Sequence, residues 1–337
     1  MAVYEPPFTM TDEITALLVE VGDLAGRVSV AAGNAAPVLR RQNRIRTIYS
    51  SLAIEQNTLT LDQVTAVLNG KRVLAPPQDI REVQNAYEAY EHLSELDPFS
   101  MEDLLKAHAF MMAGLTSEAG FFRSGNVGVF RGDRLIHAGT PAAYVPEVMQ
   151  QLFDWMRSSR LPLLLTSCIF HYEFEFIHPF SDGNGRTGRL WHSLFLQRWK
   201  PFFAWLPIET MIHERQEDYY AALNAANSNG ESTVFVTFML TVIRDALKEL
   251  MNTDVGESVG DNVGDNVGDN VGEKLTDNEA RCLDAVRMHP DFSAKKLADS
   301  LGLTSRQVER LLASLKTKHR IERVGPAKGG RWKILQI

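Results

Sequence analysis

Twelve residues in the middle of the chain, His178-Pro-Phe-Ser-Asp-Gly-Asn-Gly-Arg-Thr-Gly-Arg189, constrain its fold more than any other stretch. Gly183 and Gly185 open backbone conformations closed to other residues, so consecutive N–H groups can converge on one ligand oxygen. Leu190, Leu194 and Phe195 then recur at helical spacing. That predicts a helix beginning near Gly185, with the positive end of its dipole at the same point. Phosphate suits such a site. Arg186 and Arg189, three residues apart, would project about a turn apart, spaced for adjacent phosphates of a nucleotide. Asp182 is the motif's only carboxylate, and a hard oxygen ligand beside phosphates points to magnesium or manganese. His178 has no phosphate role, but an imidazole can accept a proton from an incoming hydroxyl and make it a nucleophile.

Taken singly, these features read as a helix end, a turn and solvated arginines. Their concentration argues against that reading, because a turn alone has no use for His, Asp, Asn and two Arg around three glycines. At every fixed position the stretch also resembles the signature of the Fic family, HxFx(D/E)GNGRxxR. The resemblance implies an all-α, mainly helical bundle with a β-hairpin flap, and an activity that moves AMP from ATP onto a protein hydroxyl. It makes His178 the general base and Asp182 the ligand of Mg2+ or Mn2+. Asn184 and Arg186 become phosphate ligands beside Gly183 and Gly185, and Arg189 the holder of the γ-phosphate. Phe180 is expected in the core, as its apolar ring also suggests.

Upstream, a helix from about Val38 ends in Ser51-Leu-Ala-Ile-Glu55-Gln-Asn57. On this segment alone, Glu55 is a helix-terminal glutamate pairing with a nearby arginine. The segment resembles the family's inhibitory motif, (S/T)xxxE(G/N), which implies that Glu55 pairs with Arg189 and denies it to the γ-phosphate. Gln56 stands where Gly or Asn is usual, with Asn57 directly after it, so the form of the helix exit and the strength of inhibition stay open.

The chain divides into an N-terminal helical region over 1–75, a catalytic core over 76–250, a linker over 251–273 and a C-terminal domain over 274–337. Apolar periodicity predicts helices from about Asp12 to Val28 and Val38 onward, then 79–96, 101–113, 144–157 and 162–177, the last mostly apolar and central. Thr60-Leu-Asp-Gln63 reads as a capping box. Between Gly120 and Gly139 the period changes and predicts a β-hairpin around Arg131-Gly132-Asp133. The resemblance makes residues 122–138 a flap that docks the target segment carrying a Ser, Thr or Tyr hydroxyl. The segment from Glu214, with Tyr219, Tyr220 and Asn227, resembles the family stretch that covers the adenine, with Tyr220 preferred to Tyr219. His171 reads as a core histidine rather than a second base.

From Val255 the chain repeats VGES, VGDN, VGDN, VGDN, VGEK, a pattern for a flexible, self-repelling linker. Beyond it, residues 274–337 carry 14 Lys and Arg against 7 Asp and Glu, in a chain whose net charge is −7. Predicted caps at Thr276, Ser293 and Thr304, followed by two strands around a Gly-rich turn, resemble a winged helix-turn-helix. Residues 304–318 would be its recognition helix and 328–333 its wing, with DNA as a partner. A protein-interaction module is the alternative. Two cysteines far apart, Cys168 and Cys282, read as buried reduced thiols, and no apolar run reaches membrane-spanning length, so a cytoplasmic protein without a membrane partner is expected. A homodimer stays open. Two further functions compete with AMP transfer: a DNA-binding regulator whose core senses nucleotide, and the reverse reaction, in which Glu55 positions a water that removes AMP.

Overall fold

The computed structural model describes residues 4–31, 37–131 and 134–257, and, from 282 to 334, selected positions of the C-terminal region. The chain falls into two units, Met1–Gly260 and Asp261–Ile337. Residues on both sides of the division expected at 75 lie in the first unit. The first unit runs α1 (Asp12–Ala31), α2 (Pro37–Ile54), α3 (Leu61–Leu68), α4 (Pro77–Glu91), α5 (Met101–Met111), β1 (Gly128–Arg131), β2 (Arg134–Ala138), α6 (Val145–Ser158), α7 (Leu163–Ile177), α8 (Asn184–Trp199), α9 (Ile208–Glu214), α10 (Gln216–Asn229) and α11 (Thr233–Glu257). The helical architecture expected from the sequence is the one found.

The N-terminal helices join the core because their apolar stripes have nowhere else to go. Ile14, Leu17, Val21 and Val28 are buried along one face of α1, which packs on α11, while α2 packs on α9. Helix α7 is the centre: every side chain from Leu164 to Phe174 is buried, and it packs against α6, α8 and α11. Thr60 and Gln63 form the reciprocal capping box that starts α3. Cys168 is a free buried thiol, pushed up to about 12 by burial. Helix α11 runs on to Glu257, seven residues into the stretch read as linker from 251, since nothing before Gly256 interrupts the helical path.

Strands β1 and β2 form the expected antiparallel hairpin, pairing Gly128 with Ala138 and Arg131 with Arg134, with an irregularity between Val129 and Phe130. In the second unit, β3 (Ile321–Val324) and β4 (Arg331–Ile334) pair antiparallel. Cys282, Val286, Leu297, Leu312, Ile321 and Trp332 share a core there. Among the described residues, 282, 283, 285–287, 296–298, 308, 311, 312, 315 and 316 are helical and precede the hairpin. The caps at Thr276 and Thr304, the VGDN repeats and the wing tip lie outside the described residues.

Candidate active site

The site is built where α7 ends and α8 begins. Helix α7 closes on His178, whose backbone takes the left-handed conformation at φ 54, a region that costs a non-glycine residue about 1 kcal/mol or more. Arg123, 3% exposed, holds that corner. Its Nε donates to the His178 carbonyl at 2.7 Å and its Nη1 to that of Gly125 at 2.9 Å, while Nη2 donates to Thr140 O. The Arg123 N–H donates to Pro179 O at 3.0 Å. One guanidinium thus ties the base of the hairpin to the loop that carries His178. On the other side, His108 stacks on Phe180 at 3.6 Å. Gly120 N–H donates to its Nδ1, so Nε2 carries the proton and donates to Asp182 O at 3.0 Å. Phe180 is fully buried, as expected.

Neither Arg123 nor His108 was legible as part of the site. Arg123→Ala removes a charged donor from several buried carbonyls and should lower stability by on the order of 3 kcal/mol in urea denaturation. Arg123→Lys should not restore it, because a single ammonium lacks the fork that spans carbonyls on both sides.

Gly183 caps α8 at φ 80, and the free N–H groups of the helix's first turn follow. Asn184 spends both ends of its amide on Phe180, accepting from its N–H and donating to its carbonyl, each at 2.8 Å. Its side chain therefore fixes the loop, and what it presents to an anion is its backbone N–H. Arg186 is also committed: Nη1 lies 3.3 Å from Glu82 Oε1 and Nη2 3.1 Å from Asp182 Oδ1. Arg186 and Arg189 thus each have a carboxylate partner from a different part of the chain, Glu82 and Glu55. Asp182, with its side chain 60% exposed, also accepts from Gly183 N–H at 2.6 Å.

Arg189 is 2% exposed. Its Nη2 donates to Glu55 Oε1 at 2.8 Å and to Ser51 O at 2.9 Å, and its Nε donates to Ser51 Oγ at 3.2 Å. The spacing explains this: Glu55, in the turn directly after α2, follows Ser51 by four residues, so both reach the same guanidinium. Burial, the largest single influence, would lower the Arg189 pKa, but the Glu55 charge and hydrogen bond, with Tyr219 and Glu175, together outweigh it and the net shift is upward. A Cβ at Gly185 would strike Glu55 Oε1, so this glycine is what lets the glutamate come down onto α8. The end of α2 also accommodates Gln56. Gln56 N–H donates to Ala53 O at 3.0 Å and Asn57 N–H to Leu52 O at 3.1 Å. That is a Schellman exit, with Gln56 itself left-handed at φ 67. The exit is the one Gly or Asn would make.

One cleft gathers Glu55, His178, Gly185 and Arg189 with Tyr219, Tyr220 and Asn227 on α10. Tyr219 is core, 2% exposed, its hydroxyl 3.2 Å from His171 Nε2, whereas Tyr220 is 42% exposed. Asn227 Oδ1 is buried on the wall without a hydrogen-bond partner. His171 is fully buried, and burial holds its pKa well below the ordinary histidine range, in keeping with a core role. The cleft also contains Glu175, which the sequence did not single out. Gly183, Asn184, Asp182 and Arg186 are not among the residues that line it.

Comparison with known proteins places this geometry. Residues 98–196 match the Fic/DOC family model. The chain is 33% identical over 218 residues to protein adenylyltransferase fic-1 of Caenorhabditis elegans, covering 60% of this chain and 40% of that protein. It is 30% identical over 204 residues to protein adenylyltransferase Fic of Nematostella vectensis, covering 57% and 45%. The chain thus spans less than half the length of these curated relatives. A crystal structure of a Fic family protein from Desulfovibrio desulfuricans is similar over 98% of both chains, at 45% identity and a TM-score of 0.73. Solved Fic-1 from C. elegans is similar over 72% of this chain and 73% of that one, at 25% identity and a TM-score of 0.61.

Proposed function

The chain belongs to the Fic family, and from that premise we propose that it transfers AMP from ATP to a Ser, Thr or Tyr hydroxyl of a target protein, under restraint by Glu55. The observation that carries the proposal is the single cleft holding His178, the open first turn of α8 and Arg189, with Glu55 on that arginine. Once Glu55 withdraws, Arg189 is the cation for the γ-phosphate and the N–H groups of α8 receive phosphate oxygens. His178 accepts the proton of the target hydroxyl. The hydroxyl oxygen bonds to the α-phosphorus, the bond to the bridging oxygen breaks, and pyrophosphate leaves. Tyr220 and Asn227 are in position for the base, and the unpartnered Asn227 Oδ1 is an acceptor for an exocyclic amine.

Asp182 is the carboxylate that would hold Mg2+ or Mn2+. Its side chain is 60% exposed, and a hard cation there would take that carboxylate with waters and substrate phosphates; among the described residues no cluster of three His, Cys, Asp or Glu could hold a metal. When bound it would screen phosphate charge. The hairpin over 128–138, tied to the His178 loop through Arg123, is the edge on which a target segment would align. Label from ATP carrying a radioactive α-phosphate should appear on protein; binding of ATP without transfer would leave nucleotide sensing as the function.

The reverse reaction is the second reading, favoured by the 32% exposure of the Glu55 side chain in the same cleft as His178. For the C-terminal unit we propose a winged helix-turn-helix that binds DNA. Its hairpin and preceding helical turns support this, as do Lys316 and Arg323, which approach the Trp332 ring at 5.3 and 5.0 Å. The full chain should bind duplex DNA with an affinity that falls steeply with salt, and deletion of 274–337 should abolish that binding. Absence of binding at low salt would leave a protein-interaction module.

A further inference from the structure

We propose that Glu175 is a second carboxylate gate on the nucleotide cleft, which must hold a proton for the triphosphate to bind. This rests on the reading of the cleft as an ATP site. The geometry comes from two glycines on α8. Gly185 and Gly188, three residues apart, lie on one face of the helix about a turn apart. A Cβ at Gly185 would strike Glu55 Oε1, and a Cβ at Gly188 would come within 2.7 Å of Glu175 Oε1. Two carboxylates thus rest on successive turns of α8, in the cleft that also holds Arg189.

Arg189 is committed to Glu55 and to Ser51. Glu175 Oε1 is buried and has no hydrogen-bond partner, and its side chain is 12% exposed. Its nearest basic group is His171 Nε2, one turn back on α7 at 3.9 Å. That imidazole is kept neutral, first by burial and then by His192 and Arg189. From α10, Tyr219 and Tyr220 face it as neutral phenols, both pushed upward by burial. Arg189 from α8 and Glu55 from α2 are the charges around it, and His178 lies on the same cleft wall.

With both glutamates ionised, the cleft holds two negative charges against the one positive charge of Arg189, before a triphosphate brings three or four more. Glu55 can withdraw because it sits at the exposed exit of α2. Glu175 has no such freedom, since it lies within α7, whose last turn is anchored in the core by Phe174 and Ile177. Its remaining route to neutrality is protonation. Burial, with Glu55 adding and Arg189 subtracting, raises its pKa to about 7, so the proton is available at ordinary pH.

If only the protonated form accepts nucleotide, apparent affinity falls with the protonated fraction, by up to about 30-fold between pH 6 and 8.5 for a pKa near 7. The test compares full-length Glu55→Gly with Glu55→Gly/Glu175→Gln, titrating Mg2+ and ATP from pH 6 to 8.5. The glutamine variant should bind similarly at pH 6 and about 30-fold or more tighter at pH 8.5, because Glu55, which helps raise the Glu175 pKa, is absent from both proteins. The two proteins differ only at position 175, so the difference belongs to Glu175. Parallel pH curves would overturn the gate. Should the glutamine protein fail to fold, calorimetry of Glu55→Gly alone at pH 8, in HEPES and in Tris, reads the protons taken up with ATP. Uptake approaching one supports the gate and none overturns it. If ATP binds to neither protein at any pH, the reading of the cleft as a nucleotide site falls as well, whereas ATP binding without a Glu175 effect removes only this inference.

Discussion

Glu55→Gly should raise AMP incorporation about 10- to 100-fold over the unaltered chain. The estimate follows from the contact being removed: a charge-assisted hydrogen bond of 2.8 Å onto a guanidinium that is almost fully buried, worth roughly 1.5–3 kcal/mol, with each 1.4 kcal/mol giving about a factor of ten. The same change should lower the melting temperature, because Arg189 would keep only Ser51 as its partner on α2. Activity gained together with stability lost is a signature that a merely surface glutamate would not give. The double change Glu55→Gly with Arg189→Ala should return to low transfer. If Glu55→Gly instead loses the ability to strip AMP from a modified protein, Glu55 serves the reverse reaction.

His178→Ala in the Glu55→Gly background should reduce transfer by ~10²–10⁴-fold while ATP still binds, since only the proton acceptor is lost. Alanine is not at ease at φ 54. His178→Asn, which tolerates the left-handed region, should therefore be equally inactive but closer to the parent in melting temperature. Retained activity in the asparagine variant would remove the base from His178.

What the sequence made legible was local. The loop from His178 to Arg189 could be read because glycine placement, a helix start and charge spacing are properties of neighbouring residues. Helix α7 could be read because an apolar run flanked by Pro162 and His178 has few alternatives. Glu55 was legible as the partner of Arg189 only through family resemblance, since that arginine lies 134 positions away. Arg186 shows the limit of spacing arguments: three positions from Arg189 on α8, it pairs with Glu82, on a helix about a hundred positions upstream. Arg123 and His108 act on backbone carbonyls 55 and 74 positions off, and nothing in their own neighbourhoods marks them. Glu175 looked like one more residue of an apolar helix; its significance comes from Gly188, which clears space for it.

The central claim is that AMP, and not a terminal phosphate, is what leaves ATP for protein. The most direct test incubates the Glu55→Gly chain with Mg2+ and ATP labelled at either the α- or the γ-phosphate, and counts protein-bound label. The account predicts incorporation from α-labelled ATP, none from γ-labelled ATP, and loss of the α signal in Glu55→Gly/His178→Asn. Label arriving from the γ-phosphate, or α label that persists without His178, would contradict it.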